Sequence, residues 1–250
     1  MRDFVYPPVI AGLKTWFKAI DLKISVEGAE HIPQEGGAVL AATHVSYLDF
    51  IFTGFAALPV KRLVRFMAKK EIFANRFAGP LMRGMHHISV DRDAGLASYK
   101  EALSHLKQGE LVGVFPEATT SQTFVVKEIK SGAVRMAIAT GTPLIPMTVW
   151  GGQRLAGKGR KTELTKRHVP ITVIAGEPMH PTRKDDVREL TTELQARMHA
   201  LLDRAQREYP DQPKGDDDRW WLPAHLGGTA PAPETQVTGG DERTGLDTAP

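Results

Sequence analysis

Between residues 38 and 207, short apolar runs alternate with segments whose apolar positions recur at helical spacing. The runs at 38–42, 63–67, 87–90, 111–115, 144–149 and 171–175 have the length and β-branched content of strands. Leu96, Tyr99, Leu103 and Leu106 repeat at helical spacing and stop at Gly109, and Val187, Leu190, Leu194, Met198 and Leu201 carry the pattern through a longer helix. A further helix over 133–139 has to end before the strand near 145, because Gly141 and Pro143 follow it. Strand and helix in alternation predict an α/β domain over residues 23–210, with a mixed, largely parallel sheet flanked by helices.

The ends of the chain read differently. Residues 4–20 are apolar but interrupted by Pro7, Pro8, Lys14 and Lys18, with Trp16 and Phe17 between the lysines. Residues 1–22 are therefore expected to form a short amphipathic helical segment for membrane association, aromatics in the acyl boundary and lysines at headgroup level. A helix simply packed on the domain fits the same pattern. No run of about 18 apolar residues suggests a bilayer span. After Tyr209 the composition turns to Pro, Gly, Asp and Thr, and residues 211–250 are expected to form a mostly mobile acidic tail. Trp220 and Trp221 are its exception, since two indoles beside Leu222 call for a docking surface.

Charge sharpens this picture. The net charge of +3 combines +8 on residues 1–210 with a tail holding three Lys/Arg against eight Asp/Glu. Eight Lys/Arg against two acids lie in residues 61–92, and six against one in residues 151–170. Such clusters suit a phosphate-bearing partner. No basic motif interleaved with aromatics points to nucleic acid. With no cysteine in 250 residues, thiolate chemistry and disulfides are excluded.

The strongest local signal is Thr43-His44-Val45-Ser46-Tyr47-Leu48-Asp49, where the first strong strand gives way to a helix, the edge at which α/β sheets form sites. Within one continuous helix, residues five apart point roughly 140° apart, so His44 and Asp49 meet only if His44 lies in the turn and Asp49 in the first helical turn. Ser46 with Asp49 reads as a capping box that sets this register. A histidine so placed can take a proton from an alcohol while the aspartate fixes its tautomer. On these residues alone, a capping aspartate beside a polar turn histidine fits equally well.

Three further segments accompany this one: Ile88-Ser89-Val90-Asp91-Arg92, Val114 to Ser121 with the core Phe115-Pro116-Glu117-Ala118-Thr119-Thr120-Ser121, and Thr142-Pro143-Leu144-Ile145-Pro146-Met147. In this order and at these separations they resemble the four sequence blocks of the glycerolipid acyltransferase family, specifically the lysophosphatidate (1-acylglycerol-3-phosphate) acyltransferases. Ala68-Lys69-Lys70-Glu71 and Lys130-Ser131-Gly132 resemble that family's intervening segments, and the likeness covers roughly residues 23–180. The resemblance implies that His44 and Asp49 are catalytic and activate an acceptor hydroxyl for direct attack on an acyl thioester, without a covalent acyl-enzyme. It implies a substrate-binding set of Arg92, Glu117, Thr119 and Lys130, with Arg92 suited to hold phosphate in bidentate fashion. It further implies acyl-CoA or acyl carrier protein as co-substrate with no other cofactor or metal, a lysophospholipid acceptor, and a cytoplasmic, peripheral place on the anionic inner face of the cell membrane. The absence of a Gly-x-Ser-x-Gly elbow agrees.

Two positions depart from the family's Phe-Pro-Glu-Gly-Thr-Arg-Ser: Ala118 stands for glycine and Thr120 for arginine. The lost arginine loosens the acceptor assignment, leaving glycerol 3-phosphate, another lysolipid or a lipid-linked sugar as alternatives. Lys127, Lys130 and Arg135 are near enough in sequence to replace its charge. A non-catalytic lipid-binding homologue is the rival of another class, and the pairing of His44 with Asp49 argues against it. His86-His87-Ile88-Ser89-Val90-Asp91 matches a condensation-type His-His-x3-Asp core, but Arg92 stands where that motif has glycine.

Overall fold

The computed structural model describes residues 3–91 and 95–232. Among them are seven strands, β1 (Lys23–Glu27), β2 (Ala38–Ala42), β3 (Val64–Lys69), β4 (Ile88–Val90), β5 (Leu111–Val114), β6 (Leu144–Trp150) and β7 (Pro170–Ala175). They form one sheet in the order β1-β7-β6-β2-β5-β3-β4. Every pairing is parallel except β6 with β7, where Met147 faces Ala175 and Trp150 faces Thr172. The helices are α1 (Tyr6–Ala19), α2 (Asp49–Ala56), α3 (Lys70–Ala74), α4 (Ala78–Gly84), α5 (Gly95–Lys107), α6 (Gly132–Thr140), α7 (Gln153–Ala156) and α8 (Val187–Arg207).

The central strand explains the layering. All five side chains of β2 are buried, which a strand achieves only when both sheet faces are covered. Because successive side chains point to opposite faces, Ala38, Leu40 and Ala42 pack with Phe17, Phe52 and Ala56 from α1 and α2. Val39 and Ala41 pack on the other side with Ala102, Leu106, Val134, Leu194 and Met198 from α5, α6 and α8. The long α8 starts cleanly, since the Asp186 carboxylate accepts the N–H groups of Arg188 (2.8 Å) and Glu189 (3.0 Å).

Several elements differ from the reading of the sequence. Strand β1 was not expected, because Lys23, Ser25 and Glu27 are exposed and only Ile24 and Val26 turn inward; it is an edge strand, where charge discourages pairing with another chain. The link from β3 to β4 folds into α3 and α4, each too short to show helical periodicity. The aromatics of the N-terminal helix face the domain instead of outward: Phe17 is buried against Phe52 and Phe55, and the Trp16 Nε1–H donates to the Leu164 carbonyl at 2.9 Å. No helix among the described residues is long and apolar enough to cross a membrane.

Composition placed residues 211–250 in a tail, yet through residue 232 the chain lies against the domain. The cause is Trp221, wholly buried, edge-on to Tyr209 at 5.5 Å and covered by the Arg154 guanidinium 4.4 Å from its ring centroid. Arg154 also pairs with Asp211 at 2.6 Å, and Gln153 Nε2 donates to the Trp221 carbonyl, so α7 grips this segment from one side. Residues 233–250 lie outside the described residues. Removing a buried indole forfeits its transfer energy and leaves a cavity, so Trp221→Ala is expected to lower unfolding free energy by about 3–5 kcal/mol. Urea unfolding of the two proteins, compared through midpoint and slope, measures this.

Candidate active site

Strands β2 and β5 are parallel neighbours, so the chain leaves both at one edge of the sheet, His44 following β2 and residues 115–121 following β5. The turn after β2 is organised by one oxygen. Asp49 Oδ2 accepts the N–H groups of Val45 (2.8 Å) and Ser46 (2.7 Å) and lies 3.1 Å from His44 Nδ1. Asp49 is the first residue of α2 and is fully buried. One half of the expected capping box forms, the carboxylate reaching back to the Ser46 N–H. The other half differs: Ser46 Oγ accepts from Leu48 N (3.1 Å) and donates to the Ala156 carbonyl (2.9 Å), tying the turn to α7.

A second carboxylate braces the same histidine from the β5 side. Glu117 Oε1 accepts the His44 main-chain N–H at 2.8 Å and Oε2 accepts that of Lys127 at 3.0 Å, while Ser121 N donates to the His44 carbonyl at 2.6 Å. Burial pushes the Glu117 carboxyl up to about 7, with the two backbone N–H groups pulling the other way. Burial likewise raises Asp49, against the opposing pull of His44, Ser46 and Val45. The imidazole stacks on Phe115, centroids 4.4 Å apart. Since Asp49 can only accept when ionised, Nδ1 carries the proton and Nε2 is bare; Thr120 Oγ1, 3.1 Å away, donates to it.

The site residues inferred from sequence thus fall into three groups. His44 and Asp49 are brought into contact. Glu117 is drawn in too, but both its oxygens are engaged by backbone N–H groups and it is buried, so it holds the histidine loop in place where the resemblance would have it face the acceptor. Thr119 is exposed, its hydroxyl 3.2 Å from Lys127 Nζ, which also donates to the Thr120 carbonyl at 3.2 Å. Lys130 is exposed and joins the loop through its backbone N–H on the Pro116 carbonyl; among the described residues no hydrogen bond ties its ammonium to His44, Asp49 or Thr120. Arg92 lies outside the described residues.

Three contacts had no clear signal in the sequence. Phe115 read only as the end of an apolar run. Thr120 read only as a lost charge, and Lys127 as one of three basic neighbours. The missing glycine is legible in retrospect: Ala118 has φ 61°, the left-handed region that glycine occupies without cost. His87 is separate from the site's chemistry. It is buried, its Nδ1 accepts the Phe66 N–H at 3.0 Å, and burial with the charge of Arg65 pushes it down to about 3, so it stays neutral.

The chain belongs to a family of acyl-transfer enzymes: the acyltransferase family model matches residues 23–150. A 1-acyl-sn-glycerol-3-phosphate acyltransferase of Bacillus subtilis is 35% identical over 161 residues, covering 63% of this chain and 74% of that protein. The enzyme of the same name from Limnanthes douglasii is 33% identical over 186 residues, covering 73% of this chain and 62% of that protein, so the chain spans rather less than two thirds of the plant relative. The crystal structure of the 1-acyl-sn-glycerophosphate (LPA) acyltransferase PlsC from Thermotoga maritima superposes with a TM-score of 0.64 at 23% identity, over 80% of this chain and 81% of that one, a likeness of fold.

The buried Glu117 supplies a pH test. Its folded-state pKa lies above the unfolded value of 4.5, so the folded protein binds the extra proton between pH 4.5 and about 7 and loses stability as pH rises through that window. Stability relative to Glu117→Gln should therefore fall by roughly 2–4 kcal/mol from pH 4.5 to pH 7.5. Denaturant midpoints of both proteins across that range decide it, and parallel curves would rule it out.

Proposed function

We propose that this acyltransferase moves a fatty acyl group from acyl-CoA or acyl carrier protein to the free hydroxyl of 1-acylglycerol 3-phosphate, giving phosphatidic acid. The observation that carries the reading is His44 with Nδ1 held by Asp49 and Nε2 turned to the sheet edge. The acceptor hydroxyl takes the place of the Thr120 hydroxyl on Nε2 and gives up its proton there as its oxygen attacks the thioester carbonyl. The imidazolium, steadied by Asp49, then protonates the departing thiolate. Glu117 and Phe115 act as positioning residues, one through the main chain and one through the ring face. The names of the relatives support the acceptor, and Arg92, whose match to the family's second block motivates it, is the proposed phosphate contact. The protein works on the cytoplasmic face of the cell membrane.

A second reading of the acceptor, glycerol 3-phosphate or another lysolipid, keeps a place because Thr120 stands where the family's arginine would be. The chemistry at His44 is common to both.

General-base catalysis contributes roughly 10²- to 10⁴-fold, so His44→Ala should lower kcat by that much and Asp49→Asn should lower it strongly, with both proteins folded. His87→Ala should instead cost about 1–3 kcal/mol of stability with kcat nearly intact. Steady-state acylation with acyl-CoA and lysophosphatidate measures all three, and the opposite ranking of the histidines would overturn the assignment.

The acceptor's phosphate has its own test. Loss of a charged hydrogen bond costs about 1.5–3 kcal/mol, so Arg92→Ala should cut kcat/KM for lysophosphatidate by roughly tenfold to 150-fold and spare a neutral monoacylglycerol. Equal loss on both acceptors, or none on either, would remove Arg92 from the phosphate site.

A further inference from the structure

The α3–α4 connection presents apolar side chains outward. Phe77 is 71% exposed, Leu81 46% and Ile72 41%. Their arrangement follows from helix geometry. Phe77 immediately precedes α4, with Leu81 four residues on and Gly84 seven on, positions that share one face of a helix. Gly84 leaves room there for Val5, whose side chain approaches so closely that a Cβ on residue 84 would lie 2.5 Å from Val5 Cγ2. A row of large apolar groups held outward by a packed hairpin needs a partner.

Charge indicates which one. Residues 69–86 hold Lys69, Lys70, Arg76 and Arg83 against Glu71, with Lys70 paired to Asp91 at 2.8 Å, which leaves the patch basic. The Arg76 guanidinium lies over the Phe77 ring, 4.6 Å from its centroid, so cation and apolar surface are presented together. Two copies of this face brought together by a two-fold axis would set these cations against one another. An anionic bilayer satisfies both parts, taking the side chains among its acyl chains and the cations among its headgroups.

Position connects the patch to catalysis. Because β2, β5 and β3 run parallel, α3 leaves β3 at the same sheet edge at which His44 follows β2. We infer that Phe77, Leu81 and Ile72, with Arg76 among them, form the surface by which the protein sits on an anionic membrane, the sheet edge carrying His44 turned toward the lipid. This rests on the reading of the acceptor as a membrane lipid, and it replaces Trp16 and Phe17, which the fold has turned inward, as the anchor.

The test is co-sedimentation of the full chain, in a His44→Ala background that removes turnover, with vesicles of phosphatidylcholine alone or mixed equally with phosphatidylglycerol. Binding should require phosphatidylglycerol and weaken with salt, and Phe77→Ser with Leu81→Ser should lower the partition coefficient roughly tenfold or more. Phe77→Trp, which keeps the stripe apolar, should bind like the parent, and its new indole should be quenched by brominated acyl chains. Unchanged partition of the double serine variant, no added quenching in the Phe77→Trp protein relative to its parent, or equal binding to pure phosphatidylcholine would overturn the inference. So would a vesicle-independent dimer that the serine variant dissolves. Acylation in detergent by the otherwise unaltered protein, with and without the serine substitutions, is read separately: no turnover at all counts against the proposed reaction and leaves the vesicle result standing.

Discussion

A carboxylate taken out of water has to find its hydrogen bonds inside the protein, and that requirement at Asp49 shapes everything near it. One oxygen gathers the N–H groups of Val45 and Ser46 and the ring nitrogen of His44, which closes the turn after β2, starts α2 and orients the imidazole in a single stroke. The same atom could not do this from a longer side chain, because the turn is closed over only four residues. Glu117 repeats the device from the far side of the histidine, its two oxygens joining the β2 turn to the segment that follows β5. Between them the two acids hold the main-chain N–H and one ring nitrogen of His44, and the Ser121 N–H holds its carbonyl. Burial makes both carboxyls reluctant to ionise, so the arrangement stores free energy that the N–H donors only partly offset.

Much of this was legible in the sequence, and for reasons that can be located. The run at 38–42 announces a strand covered on both faces, and His44 and Asp49 flank a strand-to-helix turn whose spacing permits contact in one register only. What escaped notice was written in weaker alphabets. The polar positions of β1 hide its pairing with β7, and α3 and α4 are shorter than two full periods of a recognisable pattern; Trp221 docks as its indole beside Leu222 called for, although the site it fills is set by α7 and Tyr209. Contacts across the sheet edge, such as Thr120 on His44, join residues 76 apart and are set by strand order, which local periodicity does not encode.

The layered sheet also explains why the site can tolerate change. His44 lies in the turn after β2 and Asp49 opens α2, while Glu117, Ala118 and Thr120 belong to the segment after β5. Ala118 takes a left-handed conformation there and the Thr120 hydroxyl reaches His44 Nε2, whereas the bonds Asp49 makes to the β2 turn lie outside that segment.

The Thr120 hydroxyl gives the dyad a resting state. In the free enzyme the bare nitrogen of His44 is already stoppered by an O–H group from the protein, so solvent does not hold that place. Any hydroxyl that is to lose its proton to Nε2 has first to displace that of Thr120. An acceptor alcohol displaces the stopper at little net cost, since it exchanges one hydroxyl hydrogen bond for another of the same kind.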